Sequence, residues 1–473
     1  MKGIIISASA LFLILAAVAV LMLSPVTLVA LLIAFVLGGY LLSLEAYRRF
    51  PDRSGRHLPS LLLLAFALSP FVFLTLIILQ GVLTWQAGVL AIISYGLMVT
   101  FWVNLLSVPL AIKSKYEEGK LVGKRSFPSL SIIVPAHNEE MVLGQTLESV
   151  LEADYPNKQV IVVDDGSTDG TFHVAARYGD RVVVLQKENG GKSSALNYGL
   201  KVAAGEIIAV VDADTMIGRD SLTEIAQKFA DEKVVAVAGN VKVANRKGWL
   251  ANCQALEYVI SIQTIRRALD RFGTVTVVPG ALGAFRRRIL DETGDYDGDT
   301  LTEDFDATIK ALKSGSVVQG SSQALAYTQA PRSFKDLYNQ RLRWYRGNFQ
   351  TFRKHLDVIT NPRYGNLYGL GFPFMLLSMV VVPVIGLIVW GSVIVALAQG
   401  QVMFILEIVI LFIALQSVLA LTSILIDGED PKLILYAPFF VIGYKQLLDI
   451  FTVKALVDVF LRRGLTWTRA QRF

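Results

Sequence analysis

The chain has 473 residues, 53% of them hydrophobic and 18% charged, with a mean hydropathy of +0.51. That balance excludes an ordinary soluble enzyme. The net charge of +6 comes without a dense basic stripe, which argues against nucleic acid and fits basic loops beside an anionic membrane leaflet. Cys253 stands alone, so an internal disulfide and a Cys-rich zinc site are excluded and a reducing compartment fits; the four histidines have no metal-ligand spacing.

The N-terminal quarter holds four apolar runs, 4–23, 26–44, 61–79 and 87–112, each long enough to cross a hydrocarbon core of roughly 30 Å. The first, with Lys2 and Ala17-Val18-Ala19, has features of a signal peptide, but the second follows almost at once, so an uncleaved pair of helices is expected. Arg48, Arg49, Arg53 and Arg56 mark the loop after the second run as cytoplasmic. Four spans then return the chain to the cytoplasm near Lys113 and Lys115, ahead of Lys120, Lys124 and Arg125. The middle segment, about 127–361, is therefore expected in the cytosol.

In that segment 130–134 reads as a short strand stopped by Pro135, followed by a helix with Leu143, Leu147, Val150 and Leu151 on one face. Further strands are expected at 160–163, 182–185 and 207–211, and a helix at 192–203. The alternation predicts an α/β domain with a mostly parallel sheet and right-handed crossovers. Ligands in such sheets collect beyond the carboxyl ends of the strands. Asn138-Glu139, Asp164-Asp165 and Asp212-Ala213-Asp214 all fall there.

Two carboxylates two residues apart in an extended chain face the same side, so Asp212 and Asp214 suit one cation; an isolated Asp-x-Asp is otherwise a turn. Lys192 follows Gly190-Gly191 at a helix start, where close backbone approach and an anion-favouring helix end suit a phosphate; the alternative is a solvated lysine. Gly280-Ala281-Leu282-Gly283 brings backbone against a ligand or makes a tight turn. Thr302-Glu303-Asp304 precedes a helix at 305–313, either as a capping and dipole device or as the carrier of a general base. Gln340, Arg343 and Trp344 share a helix face and suit diphosphate binding and sugar stacking. Arg341, Arg343 and Arg346 with Tyr345 and Phe349 also fit a helix lying on a membrane surface.

Apolar runs return at 375–397, 402–426 and 433–461. A third full span would place Arg462, Arg463, Arg469 and Arg472 outside, against the positive-inside tendency, so a bent, re-entrant or interfacial segment is the alternative. Glu407, Gln416, Lys445, Gln446 and Asp449 either line a polar path through the apolar region or lie at its surface.

Val134-Pro135-Ala136-His137-Asn138-Glu139, Asp164-Asp165-Gly166-Ser167, Asn189-Gly190-Gly191-Lys192, Asp212-x-Asp214, Thr302-Glu303-Asp304 and Gln340-x-x-Arg343-Trp344 form an ordered set. It resembles that of the processive, inverting family 2 glycosyltransferases, the membrane synthases of cellulose, chitin, hyaluronan and poly-N-acetylglucosamine. The Thr-Glu-Asp form and Ala284-Phe285-Arg286-Arg287 are most similar to the last group. The resemblance implies a Rossmann-like GT-A domain at 127–334, cytosolic and set between about four membrane helices in 1–112 and about three in 366–461. Interfacial helices would occupy 335–361, and 462–473 would be a basic tail.

It implies a nucleotide-sugar donor, UDP-GlcNAc or UDP-Glc, polymerised onto a growing β-linked polysaccharide at the plasma membrane, with Mg²⁺ or Mn²⁺ as cofactor. Pro135, His137, Glu139, Asp164, Asp165, Lys192, Asp212, Gln340, Arg343 and Trp344 would bind the donor. Asp212 and Asp214 would hold the metal, Asp304 with Glu303 would carry the catalysis, and Gly280, Thr302 and Trp344 would meet the acceptor. His137 stands where the family often has tyrosine, and four N-terminal spans exceed the two common in bacterial relatives. A polyprenyl-phosphate single-sugar transferase is the first alternative. A transporter or receptor that senses nucleotide is a second, of a different class.

Overall fold

The computed structural model describes residues 127–463, with scattered helical residues between 88 and 115. The runs at 4–23, 26–44 and 61–79, most of 87–112 and nearly all of the basic tail lie outside the described residues.

The described chain divides into two compact units. The larger is built on an eight-stranded sheet of order β3-β2-β1-β4-β7-β6-β8-β5. Its strands are β1 (Leu130–Ala136), β2 (Lys158–Asp165), β3 (Val183–Lys187), β4 (Ile207–Val210), β5 (Thr215–Ile217), β6 (Val234–Val243), β7 (Gly283–Arg286) and β8 (Val317–Thr328). β-Branched residues fill the central strands, and Ile132, Ile133, Val134, Ile161, Val162, Val163, Ile207 and Ile208 are all fully buried. Each contributes roughly 2 kcal/mol of burial. Helices α1 (Leu143–Glu152) and α2 (Lys192–Leu200) cross between the first strands, as a parallel sheet requires. Leu143, Leu147 and Val150 of α1 and Ala195, Leu196 and Leu200 of α2 are buried.

Parallel pairings outnumber antiparallel ones, as expected, but one expectation needs refinement and another correction. The sheet is mixed: β7 runs antiparallel to β4 and β6, and β5 antiparallel to β8. Parallel pairing is confined to β3-β2-β1-β4 and to β6 with β8. Nor does Pro135 stop β1, which continues to Ala136 opposite Asp164. The pairing with β4 ends at Ile133, so the missing N–H of Pro135 interrupts no ladder on that side.

The chain continues through α3 (Trp249–Glu257), α4 (Glu303–Lys313) and α5 (Phe334–Lys354). Ser333 caps α5, its Oγ accepting from the Asp336 N–H.

The second unit contains Val259–Ile265 and Phe372–Lys454. Helices Leu367–Ala398 and Val402–Asp427 have mean hydropathies of 2.7 and 2.6 and are long and apolar enough to cross a membrane. Pro431–Phe440 and Tyr444–Phe460 are bent by 59°, so the last apolar run is a broken segment. Val389, Val393, Ile405, Ile408 and Phe412 pack inside this unit, while Ile394, Met403, Ile410 and Leu435 turn outward. Outward apolar side chains on that scale suit a hydrocarbon surround. Of the polar residues in these runs, Glu407 is exposed. Lys445 is ion-paired to buried Asp449, and Gln446 bonds the backbone of Val441 and Gly443 at the break.

Candidate active site

The loops after β1 and β2 are stitched together. His137 Nδ1 lies 2.8 Å from the Asp165 carbonyl, the Asn138 N–H donates to Ser167 Oγ, and Asn138 Oδ1 accepts from the Thr168 N–H. Gly166 has φ +69° and lies so close to Asn189 that a Cβ would sit 2.7 Å from that backbone nitrogen, so glycine is required there. Asp164 is held by the Ser167 N–H and Gln186. Asp165 accepts from Lys187 Nζ at 2.6 Å and from the N–H groups of Gly190 and Gly191. The anion at the entry to α2 is thus the protein's own Asp165 carboxylate. Pro135 lies in β1, and Glu139 is buried with its N–H donating to Thr171 Oγ1.

Three distant motifs meet at Lys192, the first residue of α2. Its Nζ lies 2.7 Å from Asp212 Oδ1 and 3.0 Å from Glu303 Oε1. Gly280 closes the cluster: its N–H donates to Asp304 Oδ2 at 3.1 Å, and a Cβ there would come within 2.4 Å of Lys192 Nζ. The Phe305 N–H donates to Asp304 Oδ1 at 2.8 Å. Burial works against the Lys192 charge, but Asp212, Glu303 and Asp304 outweigh it and hold the ammonium well above its ordinary range. Asp304 goes the other way. Burial first and the Glu303 charge second push its carboxyl up to about 6, against the pull of Lys192 and the two N–H donors. A carboxyl poised near neutrality with its oxygens held by backbone donors is equipped to take a proton.

Asp212 and Asp214 are both partly exposed, with Ala213 buried between them. The backbone there is a turn closed by the Thr215 N–H on the Asp212 carbonyl, not extended strand as the spacing implied. Both carboxylates are hard oxygen donors of the kind a divalent cation takes, and that of Asp212 already holds an ammonium. Asp297, Asp299 and Asp306 also cluster, but Lys354 Nζ bonds all three, so they form an ion-pair knot.

Helix α5 packs on α4. Gly347 fits against Thr302, where a Cβ would meet side chain and backbone within 2.9 Å. The Thr302 hydroxyl lies 3.4 Å from that of Thr351, so this residue faces α5. Asp306, fully buried, accepts from His355 Nε2 at 2.9 Å and Lys354 Nζ at 3.1 Å. Gln340, Arg343 and Trp344 are half-buried. Arg341, expected on a membrane-facing side, is instead completely buried against Glu257.

Sequence reading passed over Glu257, Asp306, Gly347 and Tyr296. Tyr296 is clamped by Asn197 through both backbone groups, and its buried hydroxyl has no hydrogen-bond partner among the described residues. Burial, with Glu303 next, holds that phenol far above its ordinary range. Its lone signal in the chain is its place six residues before Thr302.

Residues 128–347 match the family model described as glycosyltransferase like family 2. Over 247 residues the chain is 30% identical to a poly-beta-1,6-N-acetyl-D-glucosamine synthase of Staphylococcus epidermidis. It is 28% identical over the same length to one from Staphylococcus aureus strain COL. Each alignment covers 51% of this chain, and the chain spans 60% of the length of these curated relatives. Among solved structures, a mannosyltransferase from Pyrobaculum calidifontis in complex with GDP-Man and Mn²⁺ is similar, with a TM-score of 0.54 at 20% identity. That likeness, over 78% of this chain and 100% of the other, is one of fold. Residues 128–347 are therefore a glycosyltransferase family 2 domain with a GT-A-like α/β fold and a mixed sheet.

Proposed function

We propose that the chain is a membrane-bound, inverting hexosyltransferase that polymerises a sugar from a nucleotide-sugar donor into a β-linked polysaccharide. The observation that carries this reading is the junction of Asp304, Glu303, Lys192, Asp212 and the Gly280 N–H in one cluster. It sets a carboxyl of raised pKa beside an ammonium suited to a diphosphate and a carboxylate suited to a cation. The names of the relatives support UDP-GlcNAc as donor and an N-acetylglucosamine polymer as product.

In this reading Asp304 takes the proton from an acceptor hydroxyl as that oxygen attacks the anomeric carbon opposite the leaving diphosphate. One displacement with one base inverts the α-linked donor to a β-linked product. Asp212 and Asp214 hold Mg²⁺ or Mn²⁺, which supplies charge neutralisation to the diphosphate. Lys192 exchanges its contact with Asp212 or Glu303 for a phosphate oxygen. Gln340, Arg343 and Trp344 frame the acceptor and the diphosphate, and Asp164, Asp165, His137 and Glu139 shape the nucleotide end. The apolar helices anchor the chain in the plasma membrane with the catalytic domain in the cytoplasm, following the positive-inside pattern of the loops.

The test is nucleotide release by purified chain from UDP-GlcNAc, UDP-Glc, UDP-GlcA and GDP-Man, with the product sized on a gel. Release from UDP-GlcNAc with long product supports the reading. One sugar on a polyprenyl phosphate points to the single-sugar transferase. Tight nucleotide binding without turnover points to a sensor.

A further inference from the structure

The buried arginine of α5 touches two members of the Gln340/Arg343/Trp344 group at once. Its Nη2 donates to Glu257 Oε2 at 2.8 Å, and its Nη1 donates to Gln340 Oε1 at 2.7 Å. Its guanidinium carbon lies 4.4 Å from the centre of the Trp344 ring. A guanidinium is a rigid plane with donors on its edge and a face for stacking, so these contacts fix one another's geometry. The Arg341 side chain is 0% exposed and that of Glu257 11%, so each charge depends on the other for compensation. Glu257 ends α3, 84 positions earlier in the chain, so the anchor comes from a separate element of the same unit.

We infer that Arg341, anchored by Glu257, is a positioning residue that sets the plane of the Trp344 indole and the amide of Gln340 as one pre-formed platform for the acceptor sugar. This rests on the transferase reading above. Stacking on a sugar needs a ring held in one orientation, and an indole pinned from one face leaves the other free to stack. The amide oxygen of Gln340 is taken by Arg341, which leaves its NH₂ to donate to a sugar hydroxyl. The pair then acts on acceptor use and not merely on the packing of α3 against α5.

The experiment uses the full chain in lipid nanodiscs, with UDP-GlcNAc as donor and a short N-acetylglucosamine oligomer as added acceptor. The variants are Glu257→Gln, Arg341→Lys, Trp344→Phe and the doubles. Arg341→Lys keeps a cation for Glu257 but loses the planar fork and stacking face. Each single variant is expected to lower kcat/KM for the acceptor by about 10- to 100-fold, the scale of a misplaced contact group. In Glu257→Gln and Arg341→Lys the donor Kd should change by no more than about twofold, since a tenfold change would need about 1.4 kcal/mol. Glu257→Gln should add little to Trp344→Phe, because both act through one platform. The emission assigned to Trp344, by difference from Trp344→Phe, should change in Arg341→Lys.

Losses that add fully in the doubles, or acceptor kinetics that stay within twofold of wild type, overturn the inference. If Arg341→Lys fails to fold, Glu257→Gln and its cycle with Trp344→Phe decide the matter alone. Wild-type turnover that is lost in Asp304→Asn but unaffected in Glu257→Gln and Arg341→Lys sinks the inference and leaves the transferase reading standing. No nucleotide release by the wild type from any donor sinks both.

Discussion

Replacing Glu303 by glutamine should move the acid limb of the transfer reaction to lower pH. A carboxyl serves as a base only when ionised, and burial followed by the Glu303 charge lifts that of Asp304 from 3.8 to about 6. The two acids adjoin in the first turn of α4, so the limb reports the pair and not one carboxyl. Glutamine keeps the size of Glu303 and removes its charge, while burial, the larger cause, remains. The limb should therefore fall by roughly 0.5–1 pH unit. At pH 5.5 a one-proton limb leaves the wild type about a quarter of its plateau rate and the variant about half or more. The plateau itself will drop, because Glu303 also holds Lys192 at 3.0 Å, so the shape of the profile is the readout. Nucleotide release is measured from about pH 4.5 to 8 at fixed ionic strength and divalent cation, which makes the cation's influence common to both proteins. A limb that stays in place or moves up refutes Glu303 as the charge that raises Asp304.

Gly280→Ala places a methyl 2.4 Å from the Lys192 ammonium, the end of a flexible side chain, so the fold should tolerate it with a Tm change of about 2 °C or less. The ammonium must leave Asp212 and Glu303, and transfer should fall about tenfold or more; undiminished transfer means that contact does not matter. Asp214→Ala should weaken cation-dependent nucleotide binding measured by titration calorimetry, and an unchanged cation requirement counts against the Asp212/Asp214 site. Asp306→Asn should destabilise the domain by about 1–3 kcal/mol at pH 7 in denaturant unfolding. Burial alone would raise the Asp306 carboxyl, but His355 and Lys354 overcome it and hold the group below its ordinary value. A depressed carboxyl gives stability present above the unfolded value of about 3.9 and lost as pH falls through the folded one. The difference between wild type and Asp306→Asn should thus be level near neutrality and shrink below about pH 4; growth on acidification contradicts the ion pair.

The first half of the sheet was legible because β1, β2 and β4 are short Ile/Val runs ending in acidic or glycine-rich turns, a pattern local to the chain. β6 and β8 were not. All ten residues of β6 are buried, so no alternation marks it, and β8 carries Gly320, Ser321, Ser322 and Gln323 within a twelve-residue strand. The antiparallel β7 has four residues, too few to show a period. At the site, the acids at the strand ends could be named from sequence, and Lys192 could be placed at its helix start. Its bridge to Glu303 could not, because 111 residues separate the partners and nothing local encodes the pairing. Arg341 misled for a related reason. One of four arginines on a basic helix reads as a surface residue until Glu257, far upstream, arrives to neutralise it. Asp306 escapes notice for the same reason, since its partners Lys354 and His355 come from the C-terminal end of α5.

In the proposed reaction Asp304 takes the acceptor proton within the cluster around Lys192. Asp304→Asn keeps the shape of the side chain while removing the base, and its single amide oxygen can accept from the Gly280 or the Phe305 N–H. Turnover of UDP-GlcNAc and nucleotide affinity should be measured on the same preparation of wild type and variant. Transfer should fall by about 100-fold or more with nucleotide binding retained. Near-normal transfer by Asp304→Asn would remove Asp304 from that role.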